Sequence, residues 1–214
     1  MNNSLLTIYQ RSKEDESDDS LFYSTPRYVH HLDMNFRRTL TSLYDELIPE
    51  ESIILDLMSS WVSHLPNKRY KKVVGHGLNT TELSQNMSLD SYWVQNLNIN
   101  QELPLESNSI DYCLLVAGWQ YLQYPEKVAS EVNRITQKGG KFVISFSNRA
   151  FWTKSPRIWT ESSEENRINY VKSVLLASDW HIEKLITKQS RKESLFNFLN
   201  NQQDPFYSII AMKI

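Results

Sequence analysis

The side chains able to do chemistry fall in a few settings along this sequence. His64 sits in the turn Ser63-His64-Leu65-Pro66, where an imidazole titrating near neutrality can act as a general base or hydrogen-bond within its own turn. Tyr121 is the second catalytic candidate. His30, His31 and Asp33 are metal-ligand types, but adjacent positions face different ways and no second cluster completes a tetrahedron, so no metal site is expected. Cys113, the single cysteine, lies among apolar residues, where a thiol is inert; it excludes an internal disulfide and a thiolate-rich zinc site. Arg149, Trp152, Lys154, Arg157 and Trp159 form a basic and aromatic stretch that suits a small anionic or aromatic ligand, although the same rings can simply pack a loop. Tyr23 and Arg27 precede the first long helical pattern, and the planar fork of Arg27 matches a carboxylate or stays at the surface.

These residues need a scaffold, and the chain is long enough to provide one. Its 214 residues, 40% hydrophobic and 12% aromatic, point to one globular domain with embellishments. A formal net charge of -2 gives no bulk positive field for nucleic acid or an anionic membrane. The longest apolar runs are too short to span a bilayer, and no secretory leader pattern is present, so a cytosolic protein without membrane insertion is expected. Residues 1–20, with the run Glu14-Asp15-Glu16-Ser17-Asp18-Asp19, read as a flexible acidic tail, and 21–214 as the single domain.

Within that domain, Asp33 caps a helix carrying Phe36, Leu40, Leu43 and Leu47 at helical spacing, and Pro49 ends it. From Ser52, short apolar runs alternate with helical patterns, which favours parallel strands covered by helices. Strands are expected at Ile53–Leu57, Lys72–Gly75, Tyr92–Gln95, Ser109–Ala117, Lys141–Phe146, Trp180–Ile186 and Phe206–Ile214. Asn79 with Glu82 three residues on reads as a capping box, and Pro125 opens a helix that Gly139-Gly140 stops.

A first strand ending in Asp56, a small-residue turn, a central apolar strand, Gln120-Tyr121-Leu122, Glu131-Val132-Asn133-Arg134 and Lys138-Gly139-Gly140 together resemble the class I S-adenosylmethionine-dependent methyltransferases, closest to the type 11 group. Leu57 to Pro66, Tyr23 to Arg27 and Ser145 to Arg149 are similar to a divergent methyltransferase-like subgroup of cyanobacteria and plants. The resemblance implies a Rossmann-like, doubly wound, seven-stranded α/β sheet with its last strand antiparallel. It implies S-adenosylmethionine as cofactor, held across Asp56, Ser59, Ser60, Asn79 and Gly118, with Asn96 and Leu97 at the adenine and Arg27 at the tail carboxylate. Acceptor contacts would come from Tyr23, Trp119, Arg149, Trp152 and Arg157.

The chain departs from the family in three places. Met58-Ser59-Ser60-Trp61 lacks the usual glycines, Gly77 stands where an acid usually takes the ribose hydroxyls, and Asn96 stands where an aspartate is common. Asn79 or Glu82 can replace the missing acid. The expected function is a methyltransferase acting on a small anionic or aromatic acceptor, with proximity and orientation supplying most of the catalysis. The alternative is a non-catalytic member of the fold that serves as a scaffold or assembly factor. A nicotinamide-dependent oxidoreductase is disfavoured, because no G-x-G-x-x-G follows a strand.

Overall fold

A computed structural model describes residues 5–189 and 203–214. Seven strands form one sheet: β1 (Ile53–Leu57), β2 (Lys72–Gly77), β3 (Ser91–Val94), β4 (Ile110–Val116), β5 (Thr136–Phe146), β6 (Trp180–Lys188) and β7 (Phe206–Lys213). Their order is β3-β2-β1-β4-β5-β7-β6. β1 to β5 pair in parallel, and β7 runs antiparallel to both β5 and β6. The helices are α1 (Ile8–Arg11), α2 (Asp19–Phe22), α3 (Met34–Leu47), α4 (Thr80–Ser84), α5 (Pro125–Ile135), α6 (Arg157–Thr160) and α7 (Glu164–Ala177). None of the described helices is long and apolar enough to cross a membrane.

Both faces of the sheet are covered, which is why β1, β4 and β5 read as unbroken apolar runs. On one face Phe36, Leu40 and Tyr44 of α3 meet Ile54, Leu114, Val143 and Ile210. The Asp33 carboxylate starts that helix by accepting the Phe36 N–H at 2.7 Å. On the other face Val128, Val132 and Ile135 of α5 and Val171, Val174 and Leu175 of α7 bury Phe142, Ile144 and Trp180. Cys113 is fully buried in this layer, and burial pushes its thiol well up.

Two local expectations are corrected. Helix α5 ends at Ile135, where the Thr136 hydroxyl turns back onto the Val132 carbonyl, so β5 starts five residues before the expected Lys141. Gly139, at φ 79, instead lets the strand pass an irregular step in its register with β4.

The larger difference is at the N-terminus. Residues 5–20 are folded onto the domain, while 1–4 lie outside the described residues. Lys13 Nζ meets both oxygens of Asp19 at 3.0 and 2.7 Å, with both side chains buried. Buried Lys154 donates to the Ser17 carbonyl at 2.8 Å and pairs with Asp15 at 3.0 Å. The Asp15 amide bonds the Thr153 carbonyl, and the Arg157 amide bonds that of Ser12. An acidic run has no apolar face, but here its charge is met by Lys13 at its own edge and by Lys154, which the fold brings in from a distant position. Residues 13–32 form a strap across the carboxyl ends of the strands.

Candidate functional site

The strap and strand ends enclose a cavity of about 750 Å3, within the size range of small-molecule sites. Its floor is the turn after β1 (Met58, Ser59, Ser60), the end of β2 (His76 to Asn79), the segment after β3 (Gln95 to Asn98) and the end of β4 (Val116 to Gly118). The strap supplies Asp19, Tyr23, Arg27 and His31, and the segment after β5 supplies Asn148 to Trp152.

The turn after β1 keeps the left-handed kink that glycine usually provides. Met58 adopts it at φ 56, and Ala117 does the same at the end of β4 at φ 49. The kink is locked by His76. The Met58 amide donates to His76 Nδ1 at 3.2 Å, so Nε2 carries the hydrogen and donates to the Gln95 carbonyl at 2.9 Å. Burial holds this imidazole neutral, at a pKa of about 4. The Ser59 amide bonds the His76 carbonyl at 2.6 Å.

This lock links two of the departures from the family pattern. A Cβ on Gly77 would lie 2.5 Å from the Ser59 carbonyl oxygen, so the glycine-free turn has closed over the space an acidic side chain would need. Gly118 is tight for a related reason, since its Cβ would sit 3.0 Å from that of Met58.

Glu82 brings a carboxylate to this wall from α4. It is not the reciprocal partner of a capping box: Asn79 accepts the Glu82 amide at 3.0 Å, but the carboxylate accepts the Arg27 amide at 2.7 Å and the Ser60 hydroxyl at 2.5 Å. The Asn79 amide group donates to the Tyr23 and Ser24 carbonyls at 2.8 and 3.2 Å. Asn96 donates to Asp18 at 3.0 Å. Leu97 is buried beside it on the cavity wall.

The remaining expected residues are distributed unevenly. Asp56 lies behind the turn, accepting the Ser59 and Ser63 hydroxyls on one oxygen, and burial raises its carboxyl pKa. It faces a smaller space of about 100 Å3 shared with His64, whose imidazole burial holds at about 4. Neither Asp56 nor His64 lines the main cavity. Trp119 packs into the core against Phe142 and Tyr170. Arg157 is outside, paired with Glu161 and lying over the Tyr9 ring, and Lys154 and Trp159 turn inward. Ser59, Ser60, Asn79, Asn96, Leu97, Gly118, Tyr23, Arg27, Tyr121, Arg149 and Trp152 come together around the cavity.

Tyr121 stacks on Phe151 at 6.1 Å and accepts that residue's amide at 3.1 Å. Burial keeps its phenol protonated, up to about 12. The sequence reading gives no cavity role to His31, His76, Gln120 and Phe151, all of which line the cavity. His31 appears in the sequence only as a metal-ligand type, and Gln120 only within the resemblance motif Gln120-Tyr121-Leu122.

Residues 59–144 match the methyltransferase domain family. No curated protein matches the sequence. Among solved structures, the chain is similar to a putative methyltransferase from Haloferax volcanii held in complex with a methyltransferase activator, at 12% identity over 83% of this chain and 90% of that one, TM-score 0.62. It is similar to geranyl diphosphate C-methyltransferase from Streptomyces coelicolor with bound S-adenosyl-L-homocysteine, at 10% identity over 83% and 77%, TM-score 0.57. It is also similar to the [4+2]-cyclase SpnF, at 13% identity over 82% and 80%, TM-score 0.60. That last likeness shows that the fold also serves chemistry other than methyl transfer.

Proposed function

We propose that this chain is an S-adenosylmethionine-dependent methyltransferase acting on a small anionic or aromatic acceptor, working in the cytosol, where its lone buried thiol needs no oxidising compartment. The observation that carries this is the cavity at the carboxyl ends of the central parallel strands. It joins a glycine-lined donor half to an aromatic and cationic acceptor half.

The donor set fits the cofactor in chemical type. Gly118 allows close backbone approach at the end of β4. Glu82 offers the carboxylate for ribose hydroxyls that Gly77 lacks, with Asn79 beside it. Ser59 and Ser60 would meet the tail, and Asn96 and Leu97 the adenine. When bound, S-adenosylmethionine supplies a methyl group on a sulfonium, already a strong electrophile. The chain's own work is then to hold the two reactants in line and exclude water, with the strap and the 148–152 segment closing the site.

Calorimetry with S-adenosyl-L-methionine and S-adenosyl-L-homocysteine tests the reading. Both should bind, Glu82→Gln should weaken them about tenfold, and Gly118→Trp should remove binding. Absence of heat and of any thermal stabilisation in the wild type would favour the scaffold reading instead. One observation speaks for that second reading: Asn79, Asn96 and Glu82 are already hydrogen-bonded within the chain.

A further inference from the structure

Three basic groups converge on one wall of the cavity. The Arg27 guanidinium lies over Phe22 at 4.5 Å and beside Phe151 and Tyr23 at 5.6 and 5.7 Å. Its Nη2 donates to the Phe22 carbonyl at 2.9 Å, while Nη1 is buried with no hydrogen-bond partner among the described residues. No described carboxylate forms an ion pair with it, since Glu82 takes its backbone amide instead. On the same wall, Asp204 fixes the Nε side of Arg149 at 2.5 Å, and Asp33 holds Asp204 in turn. The terminal nitrogens of Arg149 are left without a partner among the described residues.

His31 lies within electrostatic reach of both arginines, with its ring edge on Phe151 at 5.5 Å. Burial lowers its pKa first. Glu82 of α4 opposes this, and Arg27, Arg149 and His30 lower it further. The buried Nη1 of Arg27 needs an acceptor that a ligand carboxylate can supply, and the half-exposed Arg149 side chain, held by Asp204 on its Nε side, presents its terminal nitrogens to the same ligand.

We propose that Arg27, His31 and Arg149 form a receptor for the carboxylate of a planar acceptor whose ring lies against Phe151 and Tyr121. Calling the occupant the acceptor rests on the methyltransferase reading. The donor's own tail carboxylate shares this chemistry, but Phe151, Tyr121 and Arg149 belong to the walls after β4 and β5, not to the turn after β1. An anion seated here favours the protonated imidazole, so binding takes up a proton at His31 and affinity rises as pH falls.

Benzoate is the probe, with benzamide as its neutral counterpart, titrated by calorimetry into the full chain saturated with S-adenosyl-L-homocysteine. Benzoate should bind at least tenfold more tightly than benzamide, and Arg27→Met and Arg149→Met should each weaken benzoate about tenfold or more. Its affinity should rise from about pH 8 to about pH 6, and His31→Asn should flatten that rise. Equal binding of benzoate and benzamide, or unchanged benzoate affinity in both arginine variants, overturns the receptor. Competition between benzoate and S-adenosyl-L-homocysteine, with both weakened by the same variants, assigns the cluster to the donor tail and overturns the acceptor site. If the wild type takes no S-adenosyl-L-homocysteine, the methyltransferase reading fails, while benzoate titrated into the protein alone still decides the cluster.

Discussion

At the ends of β1, β2 and β3, the polar side chains are bound to one another and to the strap. On the wall formed by Arg27, His31 and residues 148–152, Nη1 of Arg27 and the terminal nitrogens of Arg149 stand without partners among the described residues. The first half is a closed hydrogen-bonded unit: His76 holds the turn, Ser60 holds Glu82, and Asn79 and Asn96 hold the strap. The second half is aromatic and incomplete. The contrast shows that the missing glycines and the missing acid are a single change. Once Met58 to Trp61 closes toward β2, position 77 has room for no side chain and the carboxylate must come from α4.

The largest expected effect tests what holds the closed half shut. Lys13 and Asp19 form a buried pair, and Asp19 otherwise receives Asn98 and a distant Lys154 at 3.7 Å. Lys13→Met should cost about 4 kcal/mol by leaving that carboxylate buried without its main partner. Because the strap can undock separately, the loss should appear as faster hydrogen exchange of amides 13–27 while the sheet keeps its protection. Unchanged exchange there would show that the pair does not hold the strap.

The lock at His76 gives the next effect. Its imidazole falls from 6.5 to about 4 on folding. Above about pH 6.5 both states are neutral and stability is full. As pH falls toward about 4 the unfolded chain takes the proton first and stability drops, and below that the loss levels off. The loss amounts to about 3 kcal/mol. His64 is lowered in the same way, so the measurement is the difference between urea curves of wild type and His76→Gln, which should lose about 3 kcal/mol less over that interval. Parallel pH profiles would remove His76 as the lock.

Gly77→Ala comes third. Its Cβ would meet the Ser59 carbonyl at 2.5 Å and Leu83 Cδ2 at 3.3 Å, for about 2 kcal/mol of overpacking. Gly77→Asp, which restores the acid type usual in the family, should therefore weaken donor binding. Tighter donor binding by Gly77→Asp would show that the two departures are independent.

The sheet is legible in the sequence because its central strands are short apolar runs bounded by turn residues, and β4 lacks polar alternation since helices cover both its faces. The strap is not legible. Its burial depends on Lys154, more than a hundred residues away, and by composition Glu14 to Asp19 looks like solvated charge. The cavity floor follows from the order of the elements, which fixes Ser59, Asn79, Asn96 and Gly118 at strand ends. What those side chains bond to does not follow, so Asn79 and Asn96 read as open contacts although the strap takes both. His76 and Phe151 carry no pattern of their own, and their places depend on partners from other strands and loops.

Arg157 gives the smallest effect and the sharpest control on the open half. In the sequence it belongs to the same basic stretch as Arg149, yet the chain turns between them at Trp152 to Lys154 and carries Arg157 to the outer surface. There it meets Glu161 one helical turn on, at 3.1 Å, and Tyr9 of α1, at 5.1 Å to the ring. An exposed pair of this kind contributes little and is screened by salt. Arg157→Ala should leave benzoate and S-adenosyl-L-homocysteine affinities unchanged where Arg149→Met lowers the first. If Arg157→Ala weakens benzoate as much as Arg149→Met does, the positive field of the whole segment attracts the anion, and the distinction between a built receptor and a basic surface is lost.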